Sequence, residues 1–521
     1  MIIDFKMLLL FQAILVLKVM VNCYCANILG VFPTPSISHQ VVFRPLIHEL
    51  VRRGHHVTVI TTDPSYPKGQ SPPNLTEIDL HDLSYKMWNK FVAIEKGKED
   101  DAQSSIKFIF ELLNSVFEQQ MKSAEVQELI NDKKKTFDLL FIESCVRPAI
   151  SLSYVYKVPV IEISSFSGIY DTFDKTGAPT NPLVYPLVTR QRINNLTLME
   201  KISELYTQYK AESIYRGLEN SENEMIKKIF GKDIPDIKKL KNNVQMLFLN
   251  VHPIWDSNRP APPNVIYLGG LHQKPSKPLP KDLKLYLDSS KNGVIYMSFG
   301  TNVKPSLLPP EKIKIFTNIF SKLPYDVLWK WDKDEVPGSS DNIRVSKWFP
   351  QSDLLKHPKV KAFITQGGLQ STDEAITAGV PLIGIPMLGD QWYNVEMYVK
   401  YKIGLKLGIE TISEDKLEYA IETIIQNESY HQNIIQLRTI MRDQPQTSLE
   451  RAVWWTEHVL RHGNAEHLRT PAAHMNWTEY YALDLVLLFL CVSTIVLLSV
   501  ILIIHLFVSK LKQTRIKTKI N

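Results

Sequence analysis

The stretch FITQGGLQSTDE, Phe363 to Glu374, joins an apolar run to residues that open a helix, with Gly367 and Gly368 at the junction. Adjacent glycines in that place let backbone N–H groups approach an anion, and the helix dipole favours its charge. A diphosphate is a group of the right kind, although Gly-Gly read alone is more often a plain turn. The one D-x-D, Asp332-Lys333-Asp334, pairs carboxylates as a cation site would, but it sits in a charged loop beside a strand and reads as solvated.

Elements must exist to position such a junction. Residues 27–32 (NILGVF) read as a strand, 40–53 as a helix with Val42, Leu46 and Leu50 on one face and Gly54 as its stop, and 56–61 (HVTVIT) as a strand. That is a βαβ unit opening a parallel sheet. Strands at 139–142 and 158–163 continue it, and 88–130 and 199–229 read as helical insertions. Proline then becomes dense over RPAPPNVIYLGGLHQKPSKPLPK, residues 259–281, which suits a connection rather than a helix. A second alternation follows, with strands at 294–299, 327–331, 363–365 and 382–385 and helices at 309–323, 369–378 and 391–401. Two doubly wound α/β halves are expected, with a ligand in the cleft at the carboxyl ends of their strands.

The ends place the chain. Residues 7–21 (MLLLFQAILVLKVMV) behind Lys6 read as the apolar part of a signal peptide over 1–25. Residues 485–508 hold only His505 as an ionisable group over a length that crosses a bilayer. Lys510, Lys512, Arg515, Lys517 and Lys519 follow it, so the positive-inside rule puts the tail 509–521 in the cytosol and the body in the lumen, a single-pass type I topology. Lys517 and Lys519 stand as in dilysine retrieval signals, which points to the endoplasmic reticulum membrane. The sequons at Asn74, Asn195 and Asn427 precede the span, as that topology requires, while the one at Asn476 lies close to the bilayer. Cys145 is the single cysteine expected in the lumenal body, so no intrachain disulfide forms there and the fold rests on its cores. Across the 521 residues a net charge of +6 is mild and mixed in sign, and no nucleic-acid partner is expected.

Over residues 348–391 the sequence becomes specific: W-F-P-Q at 348–351, Q-G-G-L-Q-S-T-D-E at 366–374, G-V-P at 379–381, and Asp390-Gln391. This resembles the signature of the UDP-glycosyltransferases that conjugate small lipophilic molecules, W-x-P-Q, H-G-G-x-N-x-x-x-E, G-V-P and D-Q, and the glutamine-bearing version is similar to insect members. The likeness extends to SHQ near the amino end, RPxPPNVIYLGGLH, SFGT, the RDQPQTSLERAVWWTEHVLRHGNAEHLR stretch, the span and the tail. It implies the two-domain GT-B fold. The division would be an acceptor-binding domain over 26–258, a linker over 259–285, a UDP-sugar domain over 286–450, returning helices and a juxtamembrane segment over 451–484, and the span.

The resemblance also implies roles. Gln366, Gln370 and Ser371 would contact the phosphates beside Gly367 and Gly368, with Ser298 and Thr301 as lesser candidates. Glu374 would grip the ribose hydroxyls, Trp348 would stack on the uracil, Gln351 would bond near the base, and Asp390 and Gln391 would hold the sugar. His39 matches the general base. The family's partner Asp is here Glu143, one methylene longer, and Asp138 is a weaker substitute. The reaction implied is a single displacement in which an acceptor hydroxyl attacks an α-linked UDP-hexose, glucose by the insect likeness, to give a β-glycoside without a metal. Apolar residues of SSFSGIY, 164–170, would face the acceptor. A catalytically silent UDP-sugar-binding member, or a membrane lipid or sterol glycosyltransferase, are the alternatives, and a homo-oligomer is compatible with any of these.

Overall fold

Parallel strands buried on both faces need helices on both sides, and the chain alternates accordingly. The computed structural model describes residues 25–92, 102–190 and 192–520, so the expected signal peptide lies, except for Cys25, outside the described residues. The first sheet holds β1 (Asn27–Phe32), β2 (His56–Thr61), β3 (Leu75–Asp79), β4 (Leu139–Glu143), β5 (Val160–Ser164), β6 (Val244–Leu249) and β7 (Val265–Tyr267), in the order 3-2-1-4-5-6-7. The second holds β8 (Val294–Ser298), β9 (Asp326–Lys330), β10 (Ile343–Ser346), β11 (Val360–Thr365), β12 (Leu382–Gly384) and β13 (Gly404–Lys406), in the order 10-9-8-11-12-13. Every pairing is parallel. In each sheet the order reverses beside the first strand, between β1 and β4 and between β8 and β11. Such switch points are where open α/β sheets leave a crevice.

Seven helices carry the rest of the description: α1 (Ile37–Arg52), α2 (Ala102–Met121), α3 (Leu198–Gly217), α4 (Leu369–Ala378), α5 (Gln391–Lys400), α6 (Ser448–His462) and α7 (Leu483–Ile520). α1 begins three residues before the start read from periodicity, which puts His39 in its first turn; Val42, Leu46 and Leu50 are buried as the spacing predicts. α2 and α3 belong to the helical insertions and pack onto the first sheet through Phe110, Phe117 and Tyr215. α6 is opened by a capping box between Thr447 and Glu450. It returns to the first sheet, where Ala452, Val453 and Val459 share a core with Val42, Leu46 and Leu50. Each buried valine there is worth about 1.5–3 kcal/mol.

The proline-rich stretch differs from its reading as a plain connection. Val265–Tyr267 is the outer strand of the first sheet, and a helix begins at Lys281. Proline punctuates the segment without forbidding three residues of strand at an edge, where few ladder donors are needed. The short or edge strands β3, β10 and β13 escape the periodicity reading for the same reason, and β6 escapes it too.

The chain divides into two compact units, one through Arg469 and one over Thr470–Asn521. Within the second, one helix is long and apolar enough by length and composition to cross a membrane, Leu483–Arg515. The helix continues into the basic tail, to Ile520 in α7, because Lys, Gln and Arg are good helix formers and no Gly or Pro intervenes.

Candidate active site

The first switch point assembles a dyad. Phe32 ends β1, a short loop follows, and the first turn of α1 presents His39; β4 next door ends at Glu143. His39 Nδ1 and Glu143 Oε1 are 2.6 Å apart. The other carboxylate oxygen accepts the Thr34 N–H at 3.2 Å. Glu143 is fully buried, whereas the His39 side chain keeps 18 % exposure. A carboxylate facing Nδ1 fixes the proton on that nitrogen, so the Nε2 lone pair is the free one. Phe166 meets the imidazole edge-on at 5.7 Å. The extra methylene of Glu relative to Asp does not loosen the pair. Asp138 lies at the far end of β4, where it accepts from the Asn27 N–H at 2.8 Å, and takes no part.

His39, Glu143 and Cys145 together offer three ligand atoms within 4.8 Å of one another. Burial pushes the Cys145 thiol well up, so it stays protonated, and the histidine and carboxylate are bonded to each other.

The second switch point forms the opposite wall. Gly367 sits at φ +90, where a Cβ would meet Val395 Cγ2 at 2.5 Å. Gly300, at φ +72, leaves room for Gln366, since a Cβ there would fall 2.1 Å from Gln366 Nε2. Only glycine accommodates both the left-handed backbone and those close approaches. Gly368 caps α4 with no side-chain acceptor, so N–H groups of the first turn point out of the helix.

A cavity of about 370 Å³ lies between the walls and is lined by every residue expected at the site except Glu143, which stands behind His39, and Gly367. The Gly367 N–H donates to Thr365 Oγ1 at 3.3 Å, so this glycine shapes the turn instead of offering its N–H to an anion. Two further residues are partly engaged within the protein. Gln351 has both amide hydrogens engaged within the site: its Nε2 donates to Ser371 Oγ at 2.9 Å and Glu374 Oε2 at 2.8 Å, while Tyr296 Oη donates to its Oε1 at 3.1 Å, which leaves one lone pair of that oxygen as its acceptor for a base. It therefore holds Ser371 and Glu374 in place. Gln370 donates one N–H of Nε2 to the Ser165 carbonyl at 3.0 Å, joining the two walls and leaving the second N–H of that nitrogen as its donor toward a phosphate.

Trp348 is 64 % exposed, with Lys330 Nζ 4.6 Å from its ring centroid on one side. Burial pulls that lysine down to about 8. Lys330, Lys274 and Asn302 line the cavity and were not singled out from the sequence; a lysine inside the apolar strand VLWKW was the available signal. Gln391 Oε1 is spent on the Met387 and Leu388 N–H groups at 2.9 and 2.8 Å, which leaves its Nε2 as the usable donor. Asp390 accepts from Asn394 Nδ2 at 2.8 Å. Burial raises the carboxyls of Glu374 and Asp390, opposed at Glu374 first by the Gln351 amide and at Asp390 by Asn394 and His39. Burial also raises neighbouring Asp373, to about 7.

Outside the cavity the picture is plainer. Of 164–170 only Phe166 lines it; Ile169 and Tyr170 are core, with Tyr170 stacked on Tyr215 at 4.8 Å. Asp332 caps Ser306 and Asp334 pairs with Lys347 at 2.7 Å, as a solvated loop would. Asn74 donates from Nδ2 to the Val51 and His55 carbonyls at 2.8 and 3.0 Å, so the nitrogen that would carry a glycan is turned inward and this sequon does not fit modification. Asn195 and Asn427 are exposed.

The arrangement can take a proton from a hydroxyl on one wall and hold an anion at a helix N-terminus on the other. Known proteins agree. The profile of the family described as UDP-glucoronosyl and UDP-glucosyl transferase matches residues 27–518. The ecdysteroid UDP-glucosyltransferase of Spodoptera littoralis nuclear polyhedrosis virus is 37 % identical over 504 residues, 92 % of this chain and 96 % of that protein. UDP-glucosyltransferase 2 of Dactylopius coccus is 32 % identical over 469 residues, 88 % and 89 % of the two chains. A Polygonum tinctorium UDP-glucosyltransferase capable of glucosylating indoxyl superposes with a TM-score of 0.57 at 16 % identity, over 84 % of this chain and 99 % of that one, which identifies the GT-B fold. This chain belongs to the UDP-glycosyltransferase family and is a UDP-sugar glycosyltransferase.

Proposed function

We propose that the protein transfers glucose from UDP-glucose, with inversion, to a hydroxyl of a small lipophilic acceptor. The observation that carries this reading is the His39–Glu143 pair, 2.6 Å apart, at the edge of the cavity whose other wall holds Asp390, Gln391 and Glu374. His39 Nε2 takes the acceptor O–H proton as the oxygen forms its bond to the anomeric carbon, and Glu143 stabilises the imidazolium that results. The bond from that carbon to the UDP oxygen breaks with its electron pair, and the charge settles against Ser371 and the first turn of α4. Glu374, oriented by Gln351, accepts ribose hydroxyls; the free face of Trp348 stacks on the uracil; Asp390 and the Gln391 amide hold the hexose. Attack opposite the departing UDP gives the β-glycoside.

Glucose is favoured by the names of the viral and Dactylopius relatives, both UDP-glucosyltransferases, and an acceptor of steroid size by the ecdysteroid in the viral relatives' name. The apolar helix and basic tail support a membrane protein whose catalytic body is lumenal in the endoplasmic reticulum, with Asn195 and Asn427 as glycosylation sites. The test is transfer by detergent-solubilised full-length protein from UDP-glucose to a panel of phenols and an ecdysteroid, with the anomeric configuration read by NMR. A β-glucoside is expected. An α-glucoside, or UDP-glucose binding without transfer to any acceptor, overturns the reading.

A further inference from the structure

An asparagine amide can be placed in two orientations, and its partners decide between them. Asn394 stands one turn along α5 from Asp390 and is 2 % exposed. Its Nδ2 donates to Asp390 Oδ2 at 2.8 Å and to the Gly367 carbonyl at 2.9 Å. Its Oδ1 accepts the Trp255 Nε1–H at 2.8 Å. Turning the amide over would set its oxygen against two acceptors and its nitrogen against a donor, so one orientation is held. That pins the rotation of the Asp390 carboxylate, which lines the cavity.

Trp255 comes from the other half of the molecule. It follows β6 in a short helical turn, Pro253–Asp256, and is buried. α5 holds it twice, since Tyr393 Oη also donates to the Trp255 carbonyl at 2.7 Å. The next residue, Asp256, is bonded toward the first wall: its Oδ1 accepts the Ser167 hydroxyl at 2.7 Å, and its Oδ2 accepts from Tyr267 Oη at 2.7 Å and Arg259 Nε at 3.1 Å. Ser167 follows Phe166, the ring that meets His39 edge-on. Buried contacts thus run from the wall that presents the base to the carboxylate on the donor wall. Packing accounts for the indole ring of Trp255, stacked on Tyr401 at 5.9 Å, but not for the aim of its N–H. A space that needed only filling would take apolar side chains, since a buried indole N–H and a buried amide cost free energy unless each is paired.

We propose that Asn394 and Trp255 are positioning residues for the hexose of the donor: the Trp255 N–H orients the Asn394 amide, and that amide fixes the Asp390 carboxylate against the sugar. The inference rests on the reading of Asp390 as a hexose ligand. The experiment measures equilibrium binding of UDP-glucose, and of UDP, which lacks the hexose, to full-length protein in detergent. Asn394→Asp keeps the shape but sets a second carboxylate against Asp390, and it should weaken UDP-glucose binding by about tenfold while UDP binds as to wild type. Trp255→Phe keeps a ring without the N–H and should weaken UDP-glucose binding by about threefold, again leaving UDP unmoved. Retained UDP binding shows that each variant is folded with its glycine turn intact. Asp390→Ala tests the underlying reading and should lose affinity for UDP-glucose alone; if it binds both ligands as wild type does, Asp390 is no hexose ligand and the inference falls with it. If Asp390→Ala behaves as expected but either Asn394→Asp or Trp255→Phe binds UDP-glucose as wild type does, or weakens UDP equally, the inference alone is overturned.

Discussion

On the first wall of the cleft His39 and Glu143 stand 104 positions apart and meet at 2.6 Å, because β1 and β4 are neighbours in the sheet. On the second wall Trp348, Gln351, Ser371, Glu374 and Asp390 all fall between 348 and 391, since a strand, its loop and the next helix are contiguous in the chain. Both walls lie at a reversal of strand order, so the same topology serves both. They differ in how their carboxyls are kept. Glu143 is buried with two partners, His39 and the Thr34 N–H. Asp373, buried on the second wall, has an Oδ2 with no hydrogen-bond partner. A carboxylate with a partner at each oxygen can serve the reaction, whereas one with an unsatisfied oxygen weighs on the fold.

If the walls act separately, one for the acceptor and one for the donor, substitutions should split between kcat and KM. His39→Ala should have the largest effect, lowering kcat by about 10²–10⁴-fold while the KM for UDP-glucose stays near wild type; a parallel rise in donor KM would break the separation. Glu143→Gln, which retains the length but not the charge, should lower kcat by about 10²-fold with donor KM again unmoved, and Glu143→Asp should recover part of the loss in the same assay.

On the other wall, Gly300→Ala places a methyl against Gln366, so steady-state kinetics should show donor KM raised by about tenfold, or 1.4 kcal/mol, at nearly constant saturated kcat. The smallest effect concerns Asp373. Burial raises its folded pKa to about 7, against an ordinary 3.8, with the Gly270 N–H opposing and Glu374 adding to the rise. The folded state then binds the proton more tightly than the unfolded one, and stability from this group is lost as pH rises through that window. Asp373→Asn should gain on the order of 1 kcal/mol over wild type near pH 8, a Tm rise of about 2 °C, and little near pH 5. Equal gains at both pH values would remove the contrast with Glu143.

The comparison also explains what reading the sequence could reach. α1, α4 and the alternation around them were legible, since apolar residues at helical spacing and Gly-Gly after an apolar run are local signals. The use of each polar side chain was not. Gln370 and Gln351 stand in the signature, yet one gives an N–H to Ser165 on the opposite wall and the other gives both to Ser371 and Glu374. Asn74 satisfies a sequon whose nitrogen is occupied by Val51 and His55. Tyr170, in an apolar run that suited an acceptor pocket, packs against Phe110 and Tyr215 instead.

By itself the sequence determined the two α/β halves, the apolar helix at one end, and the identity of nearly every side chain lining the cleft, because periodicity, glycine placement and a contiguous signature are carried by neighbouring residues. Only the tertiary structure decided that Glu143 reaches His39, that Val265–Tyr267 joins the first sheet, and which amides remain free for a ligand. The physical reason is that hydrogen bonds are made to whatever the fold brings within about 3 Å, and strand order, which sets those encounters, is not written in local spacing.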